Sequence, residues 1–278
     1  MSEKLFKTLT AIAALALSNP VSAKIFTLDN AISAFEATKK AVESSGTEFN
    51  STPKNTNIKT ISIPDGKGLP PFNEFYSSKK EIAKHLYKNP YTFYANCKIE
   101  FSGRGKFHPD LRSCNYESRG NPTRARRIEF EHIFPVSWAK KQFGCWDNGG
   151  RENCRKTDAA FRVLEADPVN LVPSVGEING DRSNYRYAEL NRGFDYGTNG
   201  RIYYSKEERK FMPPHDKKGW VARVHLYMVK TYDIELSSSY EKLMNVWAKL
   251  PASQEECEYN RLTTSWGYNN PLTSQICN

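Results

Sequence analysis

Six cysteines, Cys97, Cys114, Cys145, Cys154, Cys257 and Cys277, constrain this chain more than any other feature. An even set of thiols forms cross-links if the chain folds in an oxidising compartment, and metal or redox sites if it does not. No Cys-x-x-Cys pair and no His-x3-His cluster supports zinc. Many connectivities are open to six cysteines; the spacing favours the sequential set 97–114, 145–154 and 257–277.

The amino terminus supplies the compartment. Lys4 and Lys7 precede the apolar run from Leu9 to Leu17, which is too short to span a bilayer. Asn19-Pro20 breaks the run, and Val21-Ser22-Ala23 offers small residues for cleavage near Ala23. A buried amphipathic helix is the alternative, but the run has no polar face. Residues 1–23 therefore read as a secretory signal, and the mature chain as periplasmic or secreted. No later stretch is long and apolar enough for a membrane span. The formal charge of +9 falls by one to +8 when Glu3, Lys4 and Lys7 are removed. Such a chain attracts polyanions: nucleic acid, lipopolysaccharide or an anionic membrane surface.

The 278 residues suffice for one large domain or two small ones, and 38% hydrophobic content is ample for a core. Leu28, Ala31, Ile32, Phe35 and Val42 mark a short helix over 28–45. Residues 46–70 are rich in Ser, Thr, Asn and Pro, so 24–71 reads as an extension or linker. Helical spacing predicts helices over 73–88, near 176–190, over 219–233 and over 238–250. Alternation predicts strands over 91–101 and from Arg127 towards Phe134, with a short second strand or loop over 167–173. The class is α+β, with helices dominant towards the carboxyl end.

The chemistry concentrates in two segments. Arg126-Arg127-Ile128-Glu129-Phe130-Glu131-His132 ends a basic strand; the stretch from Asp167 to Asn184 follows some forty residues later. Phosphodiester hydrolysis needs a base, a hard cation and a fixed donor for the developing charge. Histidine supplies the base near neutral pH. A carboxylate and an amide oxygen suit Mg²⁺, which keeps several waters and takes few protein ligands. Glu131, His132 and Asn179 are chemically sufficient, although the residues alone leave Glu129 and Glu131 as rivals. Strict alternation points Glu131 and His132 to opposite faces, so both line one site only if the strand ends or bulges there. Pro135 favours an ending.

Three segments closely resemble the bacterial endonuclease I family of periplasmic and secreted nucleases. They are Ile-Glu-Phe-Glu-His-Ile-Phe-Pro, Cys-Trp-Asp-Asn-Gly-Gly-Arg-Glu-Asn-Cys and Asn-Leu-Val-Pro-Ser-Val-Gly-Glu-Ile-Asn-Gly-Asp-Arg-Ser-Asn. The resemblance runs from about residue 72 to the end. It implies a nuclease domain over 72–278 built on a ββα-metal core, two strands and a helix gripping one divalent ion. It implies Glu131 and Asn179 as ligands of Mg²⁺, or of Mn²⁺ or Ca²⁺, with His132 as base and Arg151 on the scissile phosphate. The expected activity is non-specific hydrolysis of DNA, and of RNA, to 5′-phosphate products by a monomer. Arg127, Arg182 and Arg186 flank the motifs and are the expected nucleic-acid contacts. Arg151 also has a logic of its own, since a 145–154 bridge would fix its guanidinium for a phosphate.

Two departures stand out. Relatives usually carry histidine just before the Asn-Leu pair, where this chain has Val169. Many also have a further cysteine pair, where this chain has Ala95 and no partner in the 193–200 turn. Losing both cysteines leaves no orphan thiol. Competing readings are a weakly catalytic nucleic-acid-binding protein on a nuclease scaffold and a phosphodiesterase for small substrates. The survival of base, ligand pair and arginine argues against the first; the charge of +8 argues against the second.

Overall fold

The computed structural model describes residues 72–103 and 105–277. The export segment, its cleavage point and the helix expected over 28–45 lie outside the described residues.

The chain enters through α1 (Phe75–Ala83), which buries Ser78 and Ile82. It ends before the expected residue 88. His85 and Lys88 donate to the carbonyls three residues back, so the helix tightens into turns. The strand expected over 91–101 begins only at Lys98. Thr92 N–H donates to Cys97 O and Cys97 N–H to Thr92 Oγ1, both at 2.9 Å. Asn96 turns that loop in the left-handed region, at φ 56°. The aromatic alternation instead serves a buried loop that packs Phe93 and Tyr94 into the core. β1 (Lys98–Ser102) then pairs antiparallel with β2 (Lys106–Asp110), a hairpin partner the sequence pattern did not announce.

After α2 (Pro122–Ala125) comes β3 (Ile128–His132). Two short helices, α3 (Gly150–Thr157) and α4 (Ala159–Ala166), precede β4 (Leu171–Val175), and α5 (Gly176–Arg182) follows directly. β3 and β4 pair antiparallel with Ile128 opposite Val175 and His132 opposite Leu171. β4 runs straight through Pro173. Ile133 N–H donates to Asn170 O and Gly176 N–H to Arg127 O. Hydrogen-bonded pairs therefore fall at alternate residues, and Phe130 opposite Pro173 is a non-hydrogen-bonded pair. The missing proline N–H would have pointed away from β3, so it costs the ladder nothing. Pro173 O points outward too, and takes the N–H of Phe93 at 2.8 Å.

α5 stops at Arg182, well short of the expected 190, because Ser183 turns to φ 51°. β5 (Arg186–Tyr187), β6 (Tyr203–Ser205) and β7 (Lys210–Met212) form a small sheet in the order β5-β7-β6. α6 (His215–Tyr232), α7 (Ser238–Trp247), α8 (Gln254–Ser265) and α9 (Pro271–Ile276) complete the chain. α6 starts four residues earlier than its apolar pattern, directly after Pro213-Pro214. α8 is capped by Ser253 Oγ, which accepts from Glu256 N–H at 3.1 Å.

The class is α+β, and β3, β4 and α5 are the expected ββα unit. All three sequential disulfides are present: Cys97–Cys114, Cys145–Cys154 and Cys257–Cys277. No thiol is left for a zinc site. No described helix is long and apolar enough to cross a membrane.

Candidate active site

Residues of β3, α5, α1, α2 and α3 line a polar cavity of about 680 Å³. Glu129, Glu131, His132, Arg151 and Asn179 all border it. β3 carries no bulge between Glu131 and His132, which face Val172 and Leu171 in regular register. The strand ends at His132, and both residues border the cavity.

His132 is buried and its ring is held by two contacts. Its Nε2 lies 2.8 Å from Glu165 O. A carbonyl only accepts, so Nε2 carries the proton and Nδ1 keeps its lone pair. Phe75 stacks on the ring at 5.1 Å between centroids. Burial first, and then the charge of Arg151, push the imidazole down to about 3, against the pull of the Glu165 carbonyl. It is neutral throughout the physiological range.

Glu165 also organises the arginines. Its carboxylate takes the Nε of Arg151 and, at 2.8–2.9 Å, the Nε of Arg155. Both guanidiniums pack over Phe75 at 5.8 Å. Among the described residues, Arg151 spends only its Nε, so its Nη groups remain for an anion. The Cys145–Cys154 bridge anchors α3, which carries both arginines.

Glu131 is a buried carboxylate with a one-sided set of partners. Tyr94 Oη donates to Oε1 at 3.0 Å, and Arg182 Nε lies 3.0 Å from the same oxygen without aligning as a hydrogen bond. Oε2 has no such partner among the described residues. Burial raises this carboxyl to about 7, against the opposing pull of Arg182 and Tyr94. A cation at Oε2 would restore its charge. Asn179 donates Nδ2 to Glu129 Oε2 at 2.7 Å, which leaves Oδ1 unclaimed. Glu129 is itself occupied: Arg124 donates Nε and Nη2 to its two oxygens at 2.9 and 2.8 Å. Glu129 is thus engaged at both oxygens whereas Glu131 Oε2 is not, and Glu131 Oε2 with Asn179 Oδ1 is an oxygen pair whose chemistry fits a hard divalent ion.

A family model, endonuclease I, matches residues 74–277. The chain belongs to the endonuclease I family. A periplasmic deoxyribonuclease from Aeromonas hydrophila is 39% identical over 206 residues, 73% of this chain and 86% of that protein. An extracellular deoxyribonuclease from the same organism is 40% identical over 207 residues, 73% of this chain and 90% of its own. Endonuclease-1 of Buchnera aphidicola subsp. Acyrthosiphon pisum is 40% identical over 193 residues, 68% and 75% of the two chains. Three disulfides suit an exported member of this endonuclease I family.

One expectation needs correction. Arg182 is not a surface contact for nucleic acid. Its side chain is 1% exposed, and its nitrogens go to Glu131, Ser183 O, Ile133 O and Tyr187 Oη. It sits in the cavity wall against Glu131, with its charge turned to that carboxylate. Arg127 and Arg186 are exposed but do not border the cavity, and Arg186 packs over Tyr240 at 5.6 Å. Lys79, Arg124 and Arg155 do border it. Of these, only Arg155 had a signal in the sequence, as the i+4 neighbour of Arg151 on one helix. Tyr94 and Glu165 are brought in by tertiary packing and gave none. Val169, where relatives often carry histidine, is buried in the core and takes no part in the cavity. Its neighbour Asn170 clamps Phe134 instead, accepting from its N–H at 2.6 Å and donating to its carbonyl at 2.9 Å. Of the other histidines, His108 lies 3.2 Å from Glu100 across the hairpin and His225 is wholly buried among aromatic rings.

Proposed function

We propose that this chain is an exported, divalent-metal-dependent endonuclease that hydrolyses DNA, and RNA, without sequence preference. The observation that carries the reading is His132: a neutral imidazole with Nε2–H fixed by Glu165 O, its Nδ1 lone pair left for the cavity shared with Glu131, Asn179 and Arg151.

Glu131 Oε2 and Asn179 Oδ1 would hold Mg²⁺ or Mn²⁺, which would supply Lewis-acid stabilisation of the phosphorane and of the leaving oxygen. His132 Nδ1 takes the proton from water as that water attacks phosphorus in line. Arg151, aimed by Glu165, places its free Nη groups against the phosphate. The incoming phosphate also cancels the positive charge that depresses His132, so the base strengthens as substrate binds. By family resemblance the products carry 5′-phosphates. The exposed basic residues, Arg127 and Arg186 among them, supply sequence-independent affinity through phosphate contacts. The relatives named as deoxyribonucleases support DNA as substrate.

The test is nicking of supercoiled plasmid, and cleavage of a structured RNA, with Mg²⁺ and with EDTA. The expected result is activity with Mg²⁺ only. His132→Ala should keep DNA binding and lose about 10²–10⁴-fold in rate at every metal concentration. Glu131→Ala should be partly rescued by excess metal. A His132→Ala rate near wild type at saturating metal would place the base elsewhere.

A further inference from the structure

Glu129 stands two residues before Glu131 on β3 and borders the cavity, and both of its oxygens have protein donors. Its two oxygens receive a bidentate fork from Arg124 and the Nδ2 of Asn179. A carboxylate bound to a guanidinium is an acceptor only. Asn179 must therefore turn its nitrogen towards Glu129 and its oxygen away. An isolated asparagine has no such preference, since its two ends are nearly the same shape.

The surrounding backbone is built to keep this contact close. A Cβ on Gly176 would stand 2.6 Å from Arg124 O and 3.0 Å from Glu129 Oε1. A Cβ on Gly180 would collide with the Arg124 guanidinium, whose Cζ would be 2.5 Å away. Both glycines bracket Asn179 on α5, and their bare faces let Arg124 reach across the helix. α5 is itself pinned on either side of Asn179. Glu177 accepts from Tyr116 Oη, Ser118 Oγ and the N–H groups of Arg119 and Gly120 at 2.8–3.2 Å. Asp181 accepts from Arg119 Nε at 2.8 Å and Tyr196 Oη at 2.7 Å. Neither the helix nor the asparagine stem is free to adjust, so the amide's orientation is the remaining freedom, and Glu129 removes it.

We propose that Glu129, clamped by Arg124, is a positioning residue that fixes the Asn179 amide with Oδ1 presented to the metal. Arg124 neutralises the Glu129 charge, so the pair orients the ligand without itself competing for the ion. This rests on the metal reading above. It adds that the asparagine works as a ligand only because a third residue chooses which end it offers.

The experiment is Mn²⁺ affinity of the mature chain, followed by the loss of the free-ion electron paramagnetic resonance signal. Glu129→Gln is isosteric, and its amide can either donate to or accept from Asn179. It should weaken Mn²⁺ binding by roughly 10–100-fold, the usual loss for an outer-shell partner, while leaving the melting temperature near wild type. Asn179→Asp presents an oxygen in either orientation. In that background two acceptor-only carboxylates would face each other, so Glu129→Gln should give no loss of Mn²⁺ affinity. If Glu129 acted through its charge alone, the same loss would appear in both backgrounds, and the proposal would be overturned. Unchanged affinity of the single Glu129→Gln variant would overturn it too. A wild-type chain that bound no Mn²⁺ would remove the metal reading itself.

Discussion

Two buried Arg–Glu pairs sit in different parts of this molecule and serve opposite ends. Arg182–Glu131 lies in the cavity wall and Arg223–Glu256 lies between α6 and α8; in each the side chains are only 1% and 2% exposed. The helical pair is closed. Arg223 donates Nε and Nη2 to both oxygens of Glu256, and Nη1 to Ala248 O and Leu250 O at 2.8 Å. Thr273 Oγ1 adds a further donor to Glu256 at 3.0 Å. The cavity pair is open. Arg182 Nε has no aligned acceptor, and Glu131 keeps one oxygen without a protein partner. Complete satisfaction makes a buried pair structural, whereas an incomplete one holds binding capacity in reserve at some cost to stability.

The largest test of that contrast is Arg223→Ala. Breaking a closed buried pair costs about 3–5 kcal/mol, read as a large fall in the denaturation midpoint. Turnover per folded molecule should be unchanged, the reverse of His132→Ala. Equal damage to turnover would mean the two regions are not separable.

Next come the cross-links. Removing Cys257–Cys277 or Cys145–Cys154 by paired serine substitution should each cost about 3 kcal/mol by chain entropy. Only the second should also slow plasmid nicking at temperatures where both variants are folded, because α3 carries Arg151. A comparable slowing in the 257–277 variant would erase the distinction.

A pH titration sharpens it further. Asp167 is fully buried and accepts from Tyr227, Tyr232 and Val169 N–H. Burial outweighs those bonds and lifts its carboxyl from 3.8 to about 6. The folded state then binds the proton more tightly than the unfolded state. The associated stability is complete below about 3.8 and is lost as pH rises through about 6. Melting temperature against pH should show this downward slope in wild type, and Asp167→Asn should lack it.

The smallest effects concern the surface. Arg127→Ala and Arg186→Ala should each reduce the salt slope of DNA binding by about one. Buried Arg182 has no phosphate to lose, so its removal should act on stability and metal affinity instead.

Legibility in the sequence followed the range of the forces involved. Cysteine spacing gave the disulfides, a local pattern, whereas the Glu-His and Gly-Glu-Ile-Asn-Gly segments pointed to the candidate cavity and left Glu129 and Glu131 as rivals until the family resemblance was added. Alternation over 91–101 misled because Thr92 and Cys97 close a loop on themselves, and that depends on one side-chain hydroxyl. Glu165 and Tyr94 were invisible because their roles come from packing across 33 and 37 residues of chain. Arg182 misled in the other direction. Its place beside the motif suggested substrate, whereas its charge is spent on Glu131 inside the fold.

Pro173 has a consequence for how faithfully the molecule assembles. In the observed pairing its nitrogen points away from β3, which needs no hydrogen from it there. Slide β4 by a single residue and Pro173 would stand opposite Glu129 or Glu131, at positions where the ladder demands an N–H that proline lacks. The same slip would exchange the faces of every side chain on the strand. One imino acid thus proofreads the alignment during folding, so that molecules with a displaced strand are penalised before the cavity can close around the wrong partners.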